Sequence, residues 1–446
     1  MSEPTTTDRL ALRARELDAG DELARLRERF VLDGPDGPDG PDGPDGPDGL
    51  DGRDDLDGVD GVGGTVYLDG NSLGALPVTV ADRVDDVVRR QWGRLRIRSW
   101  EESGWWTAPE RIGDRIAPLV GAAAGQIVVG DSTSVNIFKA LVAAVRMARG
   151  ADGDARDEIV VDATTFPTDG YIAESAARMT GCSLRPVEPG EVPGALGART
   201  AAVLLNHVDY RSGRLHDLPG LTAAVHAAGA VVVWDLCHSA GALPVGLDAH
   251  GVDLAVGCTY KYLNGGPGSP AYLYVRRDLQ DRFDSPLPGW NSHVEPFGMR
   301  SAYEAAPGAV RGRVGTPDIL SMLALDAALD VWDGVGIDAV RAKSLALTDF
   351  FLQCVEAYAD PGRVTCVTPR RPEERGSQIA LRCPDAGDVM KHLIGRGVVG
   401  DFRHPDVLRF GFTPLYTGFT DAWRAARVLG EVLDEVAGQS RGEARG

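Results

Sequence analysis

Cysteine is scarce in this chain of 446 residues, and no two cysteines are spaced as a Cys-x-x-Cys pair. The six cysteines lie far apart, at Cys182, Cys237, Cys258, Cys354, Cys366 and Cys383. A disulfide framework or a structural zinc site is normally marked by closely spaced cysteines. The spacing therefore predicts free thiols, most of them buried, and indicates no metal site.

Long apolar runs are also missing from the sequence. The longest runs are short enough for strands, as in 201–205, whereas a helix that crosses a bilayer needs about 20 apolar residues. Residues 1–8 lack the basic start and the apolar segment of a secretory signal. We therefore expect a cytoplasmic protein that does not insert into a membrane.

Basic residues are outnumbered by acidic ones, and the formal net charge is −19. Such a chain is not expected to bind nucleic acid or an anionic membrane surface. Residues 33–64 carry eleven Asp and one Arg and begin with a repeated Asp-Gly-Pro unit. A few such triplets cannot form a collagen helix, so the segment is predicted to be a disordered acidic insert.

Apolar, strand-like runs alternate with helical patterns between residues 65 and about 275. The runs occupy 158–162, 200–205, 230–234, 253–257 and 271–275. This alternation is typical of an α/β domain in which helices cover a mostly parallel sheet. Polar residues follow several of the runs, and ligands bind at the carboxyl ends of such strands.

The chain is predicted to contain two folded domains. We assign 65–318 to a large α/β domain and 319–446 to a smaller α+β domain, in which 378–382 and 407–411 are strands. Residues 1–32 have apolar residues at helical spacing and are predicted to pack on the smaller domain.

Asp235 and Lys261 form the most informative pair in the sequence. Asp235 closes the apolar run 230–234, and Lys261 lies between two tyrosines in a loop that ends in Gly-Gly. A buried carboxylate can keep a pyridine nitrogen protonated, and a lysine can bind an aldehyde covalently, so the pair predicts a pyridoxal phosphate site. Taken singly, Asp235 could be a helix cap and Lys261 a solvated surface residue.

The stretch Ser132-Thr133-Ser134 precedes a run with apolar residues at helical spacing. Free backbone N–H groups and hydroxyls at the start of a helix suit a phosphate group. The alternative is an ordinary N-cap, which uses the same residue types.

Ten motifs together resemble those of the kynureninases, and they occur in family order over about 67–419. They are Tyr-Leu-Asp-Gly-Asn-Ser-Leu-Gly (67–74), Ser-Thr-Ser-Val-Asn (132–136), Phe-Pro-Thr-Asp (166–169), Tyr-Arg-Ser-Gly (210–213), Asp-Leu-Cys-His-Ser-Ala-Gly (235–241), Tyr-Lys-Tyr-Leu-Asn (260–264), Gly-Trp (289–290), Arg-Val-Gly-Thr-Pro (313–317), Arg-Gly-Ser-Gln (375–378) and Pro-Leu-Tyr (414–416). Kynureninases are pyridoxal phosphate enzymes of the aspartate aminotransferase fold, and they cleave kynurenine to anthranilate and alanine.

The resemblance implies a role for each matching residue. The expected cofactor contacts are Ser132, Thr133, Phe166, Asp169, Asn206, Asp235, His238, Tyr260, Lys261, Trp290 and Thr316. Among these, Trp290 and Thr316 would come from the second subunit of a homodimer. Arg375 would bind the substrate α-carboxylate and Trp100 would also contact the substrate. Lys261 would act as the base and Tyr260 as the proton donor in the last step.

Two alternatives and one question of specificity stay open. The chain could be another enzyme of the same cofactor class, such as a cysteine desulfurase or selenocysteine lyase, or a non-catalytic protein of that fold. The family usually has Ser or Thr at position 206, alanine at 237 and an aromatic–glycine pair at 291–292, whereas this chain has Asn, Cys and Asn-Ser. The last difference leaves open whether kynurenine or 3-hydroxykynurenine is preferred.

Overall fold

The structure, a computed structural model, describes residues 6–32, 64–149 and 156–443. Almost all of the predicted acidic insert lies outside these residues, so its disorder stays a prediction. Within the described ranges, no helix is long and apolar enough to cross a membrane. The same ranges contain no cluster of His, Cys, Asp and Glu side chains that could hold a metal ion.

The strands are numbered in chain order. They are β1 (Phe30–Val31), β2 (Val66–Tyr67), β3 (Leu76–Pro77), β4 (Ile127–Val129), β5 (Glu158–Asp162), β6 (Ser183–Val187), β7 (Thr200–Asn206), β8 (Val231–Asp235), β9 (Leu254–Gly257), β10 (Tyr272–Val275), β11 (Thr365–Cys366), β12 (Gln378–Arg382), β13 (Val398–Val399), β14 (Asp401–Arg403) and β15 (Val407–Gly411).

The α-helices are numbered in the same way. They are α1 (Thr6–Ala19), α2 (Thr79–Asp86), α3 (Ser99–Glu102), α4 (Ala108–Val120), α5 (Thr133–Arg149), α6 (Pro167–Thr180), α7 (Val192–Ala195), α8 (Leu218–Ala227), α9 (Ile319–Ala328), α10 (Ile337–Tyr358), α11 (Ala386–Gly395) and α12 (Phe419–Glu443).

A seven-stranded sheet forms the centre of the large domain. Its strand order is β4-β10-β9-β8-β7-β5-β6. Strands β5 to β9 run parallel, and β10 is antiparallel to both β9 and β4. The prediction of a mostly parallel sheet is therefore confirmed, and the carboxyl ends of five strands meet at one edge.

Helices cover both faces of this sheet, as the α/β prediction requires. Helices α5 and α6 pack on one face around fully buried residues such as Leu141 and Leu204. Helices α4 and α9 and the buried Trp234 belong to the core on the other face. Apolar burial on both faces explains why the central strands read as continuous apolar runs rather than alternating ones.

The smaller domain has its own core around a four-stranded antiparallel sheet. The strand order is β11-β12-β15-β14, and helices α10, α11 and α12 pack on it. Leu10 and Ala14 of α1 lie in this core, as predicted for the N-terminal segment, whereas Leu26 and Phe30 of the same segment are buried in the large-domain core.

Two segments pack with a different core from the one that the sequence analysis assigned to them. Helix α9 was placed in the smaller domain, but Met322 and Leu325 are buried in the large-domain core. Strand β2 was placed in the large domain, but it pairs with β13 and Val66 lies in the smaller core. Apolar periodicity identifies each element without identifying the core that buries it.

Candidate active site between the two domains

A cavity of about 260 Å³ lies between the large sheet and the smaller domain. It is lined from the large-domain side by Thr133, Ser134, Phe166, Asp169, Asn206, Asp235, Cys237, His238, Tyr260 and Lys261. The smaller domain contributes Arg403 and Arg409 to the lining. Asn71 and Ser72, which precede the large sheet in the chain, also line the cavity. Most of the predicted cofactor contacts therefore lie around one cavity.

The ends of parallel strands place the carboxylate and the lysine. Asp235 is the last residue of β8 and pairs in register with Asn206, the last residue of β7. Lys261 follows the neighbouring strand β9, in a loop that Gly74 approaches so closely that a Cβ on Gly74 would overlap the Lys261 carbonyl. The backbone N–H of Gly74 also donates to the Tyr260 carbonyl at 2.7 Å.

Two buried carboxylates, Asp235 and Asp169, face the cavity together. Their residues are 8% and 4% exposed. Burial, and then the charge of Asp235, raise the pKa of Asp169 well above its ordinary value. A cationic ring nitrogen would be stabilised by this pair, because an uncompensated buried negative charge is costly. The pair therefore fits the pyridinium of pyridoxal phosphate.

His238 and Asn206 offer neutral polar groups beside the carboxylates. Burial, and then the charge of Lys261, lower the pKa of His238 well below its ordinary value. His238 Nδ1 donates to Gln378 Oε1 at 3.1 Å, and Gln378 Nε2 donates to the Tyr210 carbonyl at 3.0 Å. The buried Oδ1 of Asn206 has no hydrogen-bond partner within the described residues, which fits a side chain that awaits a ligand.

Phe166 presents an aromatic ring to the cavity. It is the N-cap of α6, its residue is 44% exposed, and its ring packs edge-on against Tyr210 at 5.3 Å between centroids. A partly exposed ring that lines the cavity can stack on a planar cofactor.

A second cavity, of about 520 Å³, adjoins the first at Thr133, Ser134 and Tyr260. It contains Ser132 and the start of α5, where Ser132 Oγ accepts from the Val135 N–H at 3.4 Å and the first N–H groups of the helix can bind an anion. Thr316 lines this cavity in the same chain as Ser132. The expected contact of Thr316 with the phosphate, from the second subunit, stays a prediction.

Trp290 and Trp100 line neither of these two cavities. The Trp290 ring packs against Trp106 and Phe297, with centroids 5.7 and 6.1 Å away. Trp100 lines a separate surface depression with Trp92 and Arg96. Their predicted roles at the site therefore stay predictions, which need a second subunit to bring these rings to the cavity.

Arg375 is not a cavity residue, so its predicted role as the carboxylate anchor needs correction. Its side chain is fully buried, and it donates to Asp349 Oδ1 at 2.6 Å and to the Arg370 carbonyl. These bonds hold the segment between β11 and β12 in place, and the side chain does not face the cavity. The assignment relied on the Arg-Gly-Ser-Gln motif, in which Gln378 contacts His238 and Tyr210 of the cavity.

Arg409, for which the sequence analysis made no prediction, is a buried arginine that does line the cavity. It lies in the middle of β15, lines the cavity and is only 1% exposed. Its guanidinium donates to the Tyr210 carbonyl at 2.8 Å, to Ser72 Oγ at 2.9 Å and to Asp401. The sequence did contain a signal for this residue, because Arg409 interrupts an apolar strand. Burying a charged side chain there is costly unless a partner or a ligand compensates the charge.

Tyr260 lies where the two cavities meet, next to Lys261. The pKa of Tyr260 is raised, first by the neighbouring Cys258 sulfur and then by burial, so the hydroxyl keeps its proton. Lys261 Nζ has no hydrogen-bond acceptor in the described chain and lies 5.9 Å from the Tyr260 ring centroid. An amine and a protonated phenol side by side can exchange protons with a bound substrate.

The cysteines of the smaller domain do not reach either cavity. Cys354 and Cys383 are buried in its core, and Cys366 lies in β11. A cysteine desulfurase needs a thiol that can attack the substrate sulfur, and none of these three is placed for that. The cysteine that lines the first cavity is Cys237, two residues after Asp235.

Solved structures similar to this one share its fold. A cysteine desulfurase from Thermococcus onnurineus NA1 superposes with a TM-score of 0.69 at 19% identity, covering 83% of this chain and 95% of that chain. The cysteine desulfurase CsdA from Escherichia coli gives a TM-score of 0.70 at 18% identity, with coverage of 83% and 95%. At such low identity these likenesses establish the fold alone, and they confirm the predicted fold class.

Curated relatives are similar over nearly the full chain. The kynureninase of Pseudomonas fluorescens is 45% identical over 421 residues, covering 94% of each chain. That of Deinococcus radiodurans is 49% identical over 379 residues, covering 84% of this chain and 91% of its own. Residues 340–429 match the family model described as the kynureninase C-terminal domain. This chain belongs to the kynureninase family.

Proposed function

We propose that this protein is a pyridoxal phosphate enzyme that hydrolyses the Cβ–Cγ bond of L-kynurenine, releasing anthranilate and L-alanine in the breakdown of tryptophan. The observation that carries the proposal is the placement of Lys261, Asp235 and Arg409 around one cavity between the domains. A covalent anchor for an aldehyde, a carboxylate for a pyridinium and a guanidinium for an α-carboxylate are the three groups that an amino acid substrate and this cofactor require.

The large-domain end of the cavity would hold the cofactor. Pyridoxal phosphate, when bound, supplies an electron sink that makes the α-proton of an amino acid acidic. Asp235 would keep the ring nitrogen protonated and Phe166 would stack on the ring. Thr133 and the start of α5 would bind the phosphate, and Lys261 would bind the aldehyde. Once a substrate amine displaces Lys261, the free amine lies within the site and can take the α-proton.

The other end would hold the substrate. Arg409 can bind the α-carboxylate by its charge and its remaining N–H donors, because its guanidinium is already oriented by Asp401, Ser72 and the Tyr210 carbonyl. Hydrolysis adds a water to the γ-carbonyl, and the bond to the β-carbon then breaks. The fragment that becomes alanine must gain a proton at its β-carbon, and Tyr260 can donate it because its raised pKa keeps it protonated.

We also propose that the active protein is a homodimer with shared sites. Large apolar side chains are exposed on one side of the chain near Trp290, including Trp92, Ile97, Phe297 and Met299, which are 60–82% exposed. Exposed apolar groups of this size are typical of an interface with another protein surface. A second copy would cover them and could bring Trp100 or Trp290 to the neighbouring cavity. A cytoplasmic location and no nucleic acid partner remain part of the proposal.

The test is a direct assay of the purified protein loaded with pyridoxal phosphate. With L-kynurenine we expect anthranilate, followed by its fluorescence, and alanine in equal amounts. Comparing kcat/KM for kynurenine and 3-hydroxykynurenine would settle the ring preference. Release of sulfide or selenide from cysteine or selenocysteine, without anthranilate from kynurenine, would instead support the desulfurase alternative.

A further inference from the structure

A lysine is buried beside the phosphate end of the site, with no part in the chemistry described above. Lys139 lies on α5, two turns after the start of the helix, and its side chain is 1% exposed. It lines the second cavity together with Thr133 and Thr316. Burying an ammonium group costs several kcal/mol unless good partners compensate it, so its partners indicate its function.

Lys139 connects the two walls of this cavity. Its Nζ donates to Asp131 Oδ2 at 2.6 Å and to the Gly312 carbonyl at 2.7 Å. Asp131 belongs to the loop 130–134, which carries Ser132 and Thr133, and the Gly312 carbonyl begins the loop 312–316, which ends at Thr316. One ammonium group therefore bonds to both loops that are expected to hold the phosphate.

Both loops need such support, because residues 130–132 and 313–318 lie outside the helices and strands. Asp131 has a φ of 56°, a left-handed conformation that costs energy in a residue other than glycine. In the other loop, a Cβ on Gly312 would lie 2.8 Å from a Leu273 side-chain atom, so this backbone packs directly on the sheet. A relative movement of these loops would change the distance between Thr133 and Thr316, which line the same cavity.

A second buried lysine provides a matched comparison. Lys343 is 9% exposed, pairs with Asp21 at 2.6 Å and donates to the Pro414 carbonyl at 2.6 Å. It therefore has the same two kinds of partner as Lys139, one carboxylate and one carbonyl. It lies in the smaller domain and lines neither of the two cavities of the candidate site.

We propose that Lys139 is a positioning residue for cofactor affinity, because it sets the spacing between the loops 130–134 and 312–316 around the phosphate. This rests on the proposed function, since it assumes that pyridoxal phosphate occupies the site. Lys139 is not a catalytic residue, and its contribution is to binding. A lysine suits the position because its compact ammonium group can donate to two acceptors from one point, whereas a planar guanidinium needs more room.

The experiment measures the dissociation constant of pyridoxal phosphate for the apoprotein by spectroscopic titration, without any substrate. We expect K139M to raise the dissociation constant by about tenfold or more, the loss of roughly one charge-assisted hydrogen bond. At saturating cofactor, kcat should change by less than about threefold. K343M should lower the melting temperature and leave the cofactor affinity within about twofold of wild type.

A double variant separates positioning from simple charge neutralisation. In K139M alone, the carboxylate of Asp131 loses its counter-ion and would repel the phosphate. K139M/D131N removes both charges, so no carboxylate is left without its counter-ion, and it is the variant most certain to fold. Positioning predicts that its dissociation constant stays about tenfold above wild type, because the two loops are still not connected.

Three outcomes would overturn the proposal. They are an unchanged cofactor affinity in both folded variants, a return to wild-type affinity in the double variant, and an equal loss of affinity in K343M. Because the titration contains no kynurenine, a wild-type protein that binds the cofactor but releases no anthranilate would disprove the proposed function and still leave the role of Lys139 decided by these affinities.

Discussion

The two ends of the active-site cavity are built in different ways. The cofactor end is formed by residues at the carboxyl ends of adjacent strands in one sheet, with Asn206 and Asp235 side by side on β7 and β8. The substrate end combines segments far apart in the chain, with Ser72 before the sheet and Arg409 on β15 of the smaller domain. One end is therefore fixed within a single domain, while the other depends on how two domains meet.

This difference has a functional consequence. We expect the cofactor end to bind its ligand without movement of the domains, because Asn206 and Asp235 lie at the end of one sheet. At the substrate end, Arg409 is held by Ser72 and Asp401 and by the Tyr210 carbonyl of the large domain. We therefore expect changes at the cofactor end to affect kcat and changes at the substrate end to affect KM.

The largest effect is expected from removing the lysine at the cofactor end. K261A should lower anthranilate release by more than about 10⁴-fold, because the covalent anchor and the base are lost together. The fold should persist, since Lys261 Nζ has no hydrogen-bond partner in the described residues. The measurement is anthranilate release with a melting curve as the control, and a rate near that of wild type would exclude Lys261 from the site.

The next effect is expected from the carboxylate beside it. D235N should lower kcat by about 10²- to 10³-fold, because an amide cannot compensate a buried pyridinium. KM should change much less. The corresponding change at Asp209, D209N, is the control, because Asp209 lies outside the cavity and accepts from Ser212. Equal losses in both variants would mean that the effect is a general one on folding.

The substrate end is tested by comparing two buried arginines. R409K should raise KM for kynurenine by about tenfold, because a lysine cannot reproduce the planar guanidinium that Asp401, Ser72 and the Tyr210 carbonyl hold at the cavity. R375K should leave KM within about twofold and lower the melting temperature, since Arg375 bonds to Asp349 instead. The reverse pattern would restore Arg375 as the carboxylate anchor and contradict the structural assignment.

A smaller, partial effect is expected from mixing two inactive chains. If Trp290 completes the site of the partner, some dimers of K261A with W290A contain one intact site, and about a quarter of the activity should return after subunit exchange. The control is each variant incubated alone. Absence of any recovery after exchange has been verified by mass would show that each chain builds its own site.

The smallest effect is expected outside the described residues. Deletion of 34–63 should leave kcat and the melting temperature nearly unchanged, because an Asp-Gly-Pro repeat has almost no apolar surface to bury and loop length changes closure entropy only slightly. The assay compares activity and solubility with those of the full chain. A large fall in kcat with full solubility would indicate that the insert covers the site.

The central strands of the large sheet could be read from the sequence, and its edges could not. Strands β5 and β7 to β10 coincide with the apolar runs, because both faces of the sheet are covered. The missed strands β4 and β6 lie at the two edges. Strand β4 has three residues and β6 contains Pro186, and both short length and proline are features of edge strands.

The site could be predicted where it depends on neighbouring strands. Asp235, Lys261 and Asp169 were found because each follows an apolar run or begins a helix beside one. Arg409 was missed because its role depends on the contact between domains, which periodicity does not encode. For Trp100 and Trp290, a contact with a second subunit would be needed, and a single sequence gives no geometry for it.

The central claim is that Lys261 binds pyridoxal phosphate covalently, and it can be tested in one measurement. The chain has only four lysines, Lys139, Lys261, Lys343 and Lys391. Reduction of the cofactor-loaded protein with borohydride fixes the cofactor on the lysine that holds it, and peptide mass spectrometry identifies that residue. The account predicts one phosphopyridoxyl group per chain, on Lys261. A label on any of the other three lysines, with Lys261 unmodified, would contradict it.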